Sequence, residues 1–229
     1  MPNSSNPPKP NSAPQKVVDL KIVPKNPPEI SDLSEMDDAS LVKLCQEQLP
    51  DNLTAYRELV KRYEGLIFNT CRRVIGTSED AEEVTQDTLL QIFHKLHQFQ
   101  GRSSFKTWLY KIVHNYCRNR ISKLARKREG QNAYEDHAAD DEEDRDANQR
   151  RAALSQAVEE ALGKLKESER EVIVLKFMSG LTLQETADVL EVKLSAAKMR
   201  LYRALESFKE AYSRIDNAPP VPNFTTQND

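Results

Sequence analysis

Apolar positions recur three and four residues apart through most of the central chain, the period of helices with one buried face. Between residues 52 and 75, Tyr56, Leu59, Val60, Tyr63, Ile67 and Cys71 form one stripe, and Gly76 closes it. A second stripe, Ala81, Val84, Thr88, Ile92 and Leu96, opens at "TSEDAEEV", where a capping residue precedes acids in the first turn, and ends before Gly101. Ser103 or Ser104 can cap a further helix that reaches about residue 128. With a short helix over 38–49 in front, the pattern predicts a compact four-helix domain over 37–128. A second helical domain is predicted over 151–215, so the fold class is all-α with two small helical domains.

The strongest local signal lies in the second domain, in "GLTLQETADVLEVKLSAAKMRLYRALESF". Gly180 stops one helix, and Thr182 with Glu185 makes a capping box for the next. A short helix over 183–190, a turn at Glu191, Val192 and Lys193, and a longer helix beginning near Ser195 form the helix-turn-helix arrangement. At about 100° per residue, Ala197, Leu201, Ala204, Leu205 and Phe208 share the core face. Ser195, Met199, Tyr202 and Arg203 fall opposite, with Lys198 and Arg200 on the shoulders. Residues 193–203 carry four bases and no acid. Long polar side chains over the first turns, flanked by cations, suit base edges and phosphates in a major groove. An ordinary solvated cationic helix leaves Met199, Tyr202 and the capped helix in front unexplained.

Between the domains the charge reverses. Residues 129–149 contain nine acids and a single base, Arg145, so 129–150 reads as a flexible acidic linker. The first 36 residues hold eight of the 12 prolines and read as a disordered tail, with a small apolar island, "VVDLKIV", at 17–23. Residues 216–229 read as a second loose end. Net charge is -3, and Cys45, Cys71 and Cys117 are odd in number and widely spaced. That fits reduced thiols in the cytoplasm, and no apolar run approaches the roughly 20 residues of a membrane span.

Against that acidic balance, residues 105–128 contain no acid and interleave aromatic rings with Lys and Arg. The helical wheel puts Phe105, Leu109, Ile112 and Tyr116 on a core face and Tyr110, Lys111, His114 and Arg118 opposite. Trp108 and Asn115 share the shoulder, where a Trp beside cations can stack on an unpaired base. Anionic lipid fits less well, because the polar face carries Tyr110 and His114 where a lipid-binding helix needs a broad apolar flank. His94, His97, His114 and Cys117 have helical spacings that zinc could use, but no metalloprotease motif accompanies them. No phosphate-cradling loop or hydrolase elbow is present, so no enzyme activity and no cofactor are expected.

Two segments together carry a resemblance: "DAEEVTQDTLLQIFHKLHQFQGRSSFKTWLYKIVHNYCRN" and "LKESEREVIVLKFMSGLTLQETADVLEVKLSAAKMRLYRA". In order and spacing they resemble the extracytoplasmic-function (ECF) class of bacterial RNA polymerase sigma factors. The resemblance implies a region-2-like domain for core polymerase and the minus-ten element, and a region-4-like domain for the minus-thirty-five element. It implies that Asp80, Glu83, Gln86 and Asp87 grip the coiled coil of the polymerase clamp. Phe99 and the loop through Ser104 correspond to the loop that captures a flipped minus-ten base, and Asn115 to a position lining that pocket. Trp108 and Lys111 correspond to the helix that supports strand opening, with Arg118 on the same cationic surface. Lys198, Met199, Tyr202 and Arg203 correspond to residues facing the minus-thirty-five element, with Ser195 and Arg200 beside them. The acidic linker corresponds to a segment threading the polymerase's product-RNA channel.

The implied partners are core RNA polymerase, promoter DNA as duplex and as melted non-template strand, and an anti-sigma factor; no membrane is implied. The chain departs from the family at Glu191, usually Gly, at Lys193, usually a capping Ser, and at Ser195-Ala196, usually Gly-Thr. Capping is therefore expected to move to Ser195. A competing reading, a stand-alone helix-turn-helix regulator, accounts for the second domain but gives the acidic helix and Trp108 no role.

Overall fold

The computed structural model describes residues 30–129, 147–216 and 218–219. Every regular element among them is helical. Helix α1 (Ile30–Glu35) and α2 (Asp38–Gln48) lead into the long α3 (Thr54–Ile75), α4 (Ser78–Lys95) and α5 (Phe105–Glu129). Asp37 caps α2, accepting from the amides of Ala39 at 2.9 Å and Ser40 at 3.0 Å. At the end of α3, Gly76 takes φ 103°, and its amide closes onto the Arg72 carbonyl at 2.8 Å. That is the left-handed C-cap the sequence predicts, where a Cβ would be strained. Of the two serines that could cap α5, Ser104 does so: its hydroxyl accepts from the Thr107 amide at 3.1 Å.

Ile67, Cys71, Ala81, Leu96 and Leu109 are among the side chains fully withdrawn from water at the centre of this unit. The fold begins earlier than the expected tail boundary at residue 36. Leu33 on α1 is buried in the core, and the Arg62 guanidinium ties α1 and α2 to α3, donating to the Leu33 carbonyl at 2.6 Å and to Asp38 at 2.9 Å. At the other end Tyr212 donates to the Pro219 carbonyl at 2.7 Å, so the chain is held beyond residue 215 as well. The apolar island at 17–23 and most of the acidic block lie outside the described residues.

The second unit comprises α6 (Ala147–Gly163), α7 (Glu167–Ile173), one π-helical turn (Val174–Met178), α8 (Leu183–Val189) and α9 (Leu194–Ser213). Thr182 and Glu185 form the predicted capping box: the Thr182 hydroxyl accepts from the Glu185 amide at 3.1 Å, and the Glu185 carboxylate accepts from the Thr182 amide at 2.9 Å. Glu191, at the turn into α9, has φ 55°, the backbone state for which Gly carries no penalty. The expected cap at Ser195 is not formed. α9 starts one residue earlier, and Lys193 occupies the cap position without a side-chain hydrogen bond.

The two units pack against each other: α5 on α8, and α3 on α6, α7 and the π-turn. This packing corrects the expected solvent face of α5. Tyr110 and His114, placed outward by the wheel, are buried, whereas Ile112 and Tyr116, placed inward, are only half-buried. The reason is tertiary. A helix covered from two sides buries a wider arc than its own apolar stripe, and here the second cover is the other unit. His114 Nδ1 pairs with the Glu171 carboxylate of α7, both groups being buried. Tyr110 sits beside Thr70 and Ser179, whose hydroxyls are 3.1 Å apart across the seam. Arg72 of α3 makes an ion pair with Glu159 of α6.

Candidate nucleic-acid interface

On α9, core packing and outward reach divide as the periodicity requires. Ala197 and Ala204 are fully buried, while Ser195, Lys198, Met199, Tyr202 and Arg203 are exposed and Arg200 is half-buried. Small alanines let α9 lie close on its neighbours α6, α7 and α8, with the opposite face left toward solvent. Met199 is 54% and Tyr202 44% exposed, so both side chains stand out from this face. The Lys198 ammonium lies 5.9 Å from the Tyr202 ring centre, so cation and ring form one surface.

The second surface is an aromatic hollow at the start of α5. Phe99, Phe105 and Trp108 form a cluster with ring centres 5.4–5.8 Å apart. Phe105 is buried beneath, and Phe99 and Trp108 are half-buried, so their free faces floor an open hollow of about 540 Å³. Gln98, Gln100, Arg102 and Ser103 complete its lining. An aromatic floor with amide, hydroxyl and guanidinium groups at the rim suits a single unpaired base and its phosphate. Trp108 is itself part of the lining. Asn115 is exposed but absent from the lining; seven residues along the helix put it about 10 Å from Trp108. Lys111 is half-buried, Arg118 is exposed, and neither contributes to the lining.

Ser104, at the end of the same loop, is engaged elsewhere. Its hydroxyl and that of Thr107 donate to Glu185 of α8, at 2.9 and 3.0 Å, and Lys106 donates to the Gly180 carbonyl at 3.2 Å. Burial alone would raise the Glu185 carboxyl. The hydrogen bonds from Thr182, Ser104 and Thr107 outweigh it and bring the pKa down to about 2. One carboxylate therefore caps the first helix of the helix-turn-helix and also holds the loop of the other unit.

The acidic helix divides in the same way. Gln86 and Asp87 are exposed; the Glu83 side chain is 56% exposed and accepts from Arg120 Nη1 at 2.7 Å. Asp80, in contrast, is largely enclosed and committed to Arg120, whose Nε donates to it at 2.8 Å, and to the Thr77 hydroxyl at 2.6 Å. Burial raises the Asp80 carboxyl, but these donors outweigh it and hold it below the usual range. Asp80, with Glu83 beside it on the same guanidinium, ties α4 to α5, while Gln86 and Asp87 face solvent. Arg102, Gln98, Gln100 and Arg120 carried no spacing signal in the sequence. Arg102 alone, as a cation in a Gly-Ser loop, could have been singled out. The zinc combination does not assemble: His94 and His97 are exposed while His114 and Cys117 are buried, and no three such ligands converge among the described residues.

Among the described residues the chain thus joins a unit of five helices bearing an aromatic hollow to a helix-turn-helix unit bearing an outward cationic ridge. Residues 59–127 match sigma-70 region 2 and residues 155–208 match sigma-70 region 4, together more than half of the chain. The chain belongs to the sigma-70 family, in its ECF subfamily. It is 28% identical to the ECF RNA polymerase sigma factor SigW of Bacillus subtilis, over 68% of this chain and 88% of that protein. Identity to the RNA polymerase sigma-H factor of Pseudomonas aeruginosa is 26%, over 78% of this chain and 95% of that one. Two solved structures share the fold. CnrH bound to the cytosolic domain of CnrY has TM-score 0.56 and 24% identity, covering 77% of this chain and 97% of that one. The Bartonella quintana sigma factor RpoE bound to the anti-sigma factor NepR has TM-score 0.54 and 20% identity, covering 69% and 97%. The protein is thus an ECF sigma factor, of a family that binds core RNA polymerase and directs initiation at promoters without catalysing chemistry. No described helix is long and apolar enough to cross a membrane.

Proposed function

We propose that residues 37–128 bind core polymerase through Glu83, Gln86 and Asp87 and capture an unpaired non-template base of the minus-ten element on Phe99 and Trp108. Lys111, Asn115 and Arg118 line the path of the melted strand along α5. The domain over 151–215 places Ser195, Lys198, Met199, Tyr202 and Arg203 in the minus-thirty-five major groove, with Arg200 on a phosphate. The acidic linker runs along a cationic channel of the polymerase. The protein works in the cytoplasm beside the polymerase, catalyses nothing itself, needs no cofactor, and is held by an anti-sigma partner. The observation that carries this reading is the pairing of an exposed ridge on α9 with an aromatic hollow on α5 in one chain. A stand-alone regulator would use the ridge and leave the hollow idle.

The two elements lie roughly 25 base pairs, or about 85 Å, apart on straight duplex DNA at about 3.4 Å per step. A helical unit of about 100 residues has a radius of gyration of about 13 Å, so two packed face to face cannot reach both. The seam between α3 and α5 on one side and α6, α7 and α8 on the other must therefore part before both elements are engaged. Run-off transcription from genomic fragments, with purified core polymerase and with or without this protein, tests the reading. Initiation that does not depend on the protein refutes it.

A further inference from the structure

On α2, some 50 residues before the aromatic loop, Gln46 makes two contacts with it. Its Nε2 donates to the Leu96 carbonyl and to the Phe99 carbonyl, each at 2.8 Å. Both partners are acceptors, so only the NH₂ end of the amide satisfies them, which fixes the side chain's orientation. Leu96 begins the single 3₁₀ turn that ends α4, and Phe99 is the residue where the chain leaves that turn, at φ -69° and ψ 117°. The Phe99 amide also donates to the Leu96 carbonyl at 3.0 Å. Both main-chain polar groups of Phe99 are thus held, one by the turn and one by Gln46. Beyond it, residues 100–104 are exposed and Gly101 adopts φ 68°, and the loop is held again at its far end by Ser104. Gln46 is absent from the lining of the hollow. Its effect on a ligand there passes through the main chain it holds at Leu96 and Phe99.

From this geometry we infer that Gln46 is a positioning residue for base capture, setting the Phe99 ring at the tilt and height at which it and Trp108 accept one base. The inference rests on the reading of the hollow as the capture site. Stacking contributes only when the base can lie flat against the ring, so a small swing of Phe99 loses it while the loop stays attached. Gln46→Leu removes both donors and leaves two carbonyls without them. Gln46→Glu keeps the size and offers acceptors toward the same carbonyls.

The test uses holoenzyme reconstituted from core polymerase and the full chain, on forked promoter DNA in which each minus-ten base of the non-template strand is replaced in turn by an abasic site. With the natural chain, one position should show a loss of about tenfold or more in affinity, the size of a lost stacked base. With either Gln46 variant that contrast should fall toward one, while affinity for core polymerase and for upstream duplex stays unchanged, a pattern that general unfolding would not give. A natural chain insensitive at every position overturns the capture reading itself. A sensitive position whose contrast survives in both variants overturns the role of Gln46 alone. If Gln46→Leu fails to fold, Gln46→Glu decides by the same contrast.

Discussion

His114→Ala tests whether the packed form resists engagement with polymerase. His114 and Glu171 pair across the seam, with side chains only 7% and 9% exposed. In the parted form α5 and α7 no longer face each other, so the substitution acts mainly on the packed form. Removing the imidazole leaves a carboxylate enclosed without its partner. Leaving a buried hydrogen-bonding group without its partner costs about 1–3 kcal/mol, and the upper figure is roughly 150-fold in the ratio of packed to parted molecules. Apparent affinity for a partner that takes only the parted form scales with the parted fraction. Fluorescence anisotropy with labelled protein should therefore show core polymerase binding at least about tenfold tighter, and small-angle scattering should show a larger radius of gyration for the free protein. Adding Glu171→Ala should reverse part of the gain, because removing both partners costs less than orphaning one. Unchanged affinity and unchanged radius in a folded His114→Ala protein would refute the reasoning.

Other expectations concern separate parts of the molecule. Arg120→Ala should lower Tm by about 2–4 °C, as expected for loss of about 1 kcal/mol in a partly screened ion pair. Asp80→Ala should do much the same and the double variant little more, whereas Asp87→Ala should leave Tm alone and weaken polymerase binding. A Tm loss from Asp87→Ala would reverse that division. Because hydrogen bonds hold the Glu185 carboxyl at about 2, below its ordinary 4.5, its contribution to the folded, packed form is complete above about pH 4.5 and is lost as pH falls toward 2. Thermal melts between those values should slope less steeply in Glu185→Gln; an identical slope would show that this carboxylate is not the group responsible. Arg203→Ala should weaken upstream duplex binding by about 1–3 kcal/mol in gel-shift titrations and leave Tm unchanged, since the side chain is exposed. A fall in Tm with intact binding would make Arg203 a structural residue.

Local signals sufficed where neighbours in the chain determine geometry. The Thr182–Glu185 box, the Gly76 terminus and the alternation of Ala197 and Ala204 with Met199, Tyr202 and Arg203 depend on residues within a turn or two of each other. Their outcome therefore follows from composition and spacing, and the two-domain helical architecture with it. The roles of the aromatic run were legible only in part. Trp108 could be marked as a stacking group, but whether it faces solvent over Phe99 depends on where the loop from α4 returns, and that loop is held by Gln46 and Glu185, both remote in sequence. Asp80 read as one of three surface acids beside Gln86 because nothing nearby announces Arg120, one helix away.

The sequence by itself determined the helices from α2 onward in the first unit, the helix-turn-helix of the second, and that the helix after the turn carries an outward cationic ridge. Those properties arise from side-chain periodicity and from backbone caps. Only the tertiary structure decided that Tyr110 and His114 are buried, that Glu185 holds Ser104 and Thr107, and that the two units close on each other. Burial is a property of what covers a surface, and the cover of α5 comes from a part of the chain whose position no helical wheel contains.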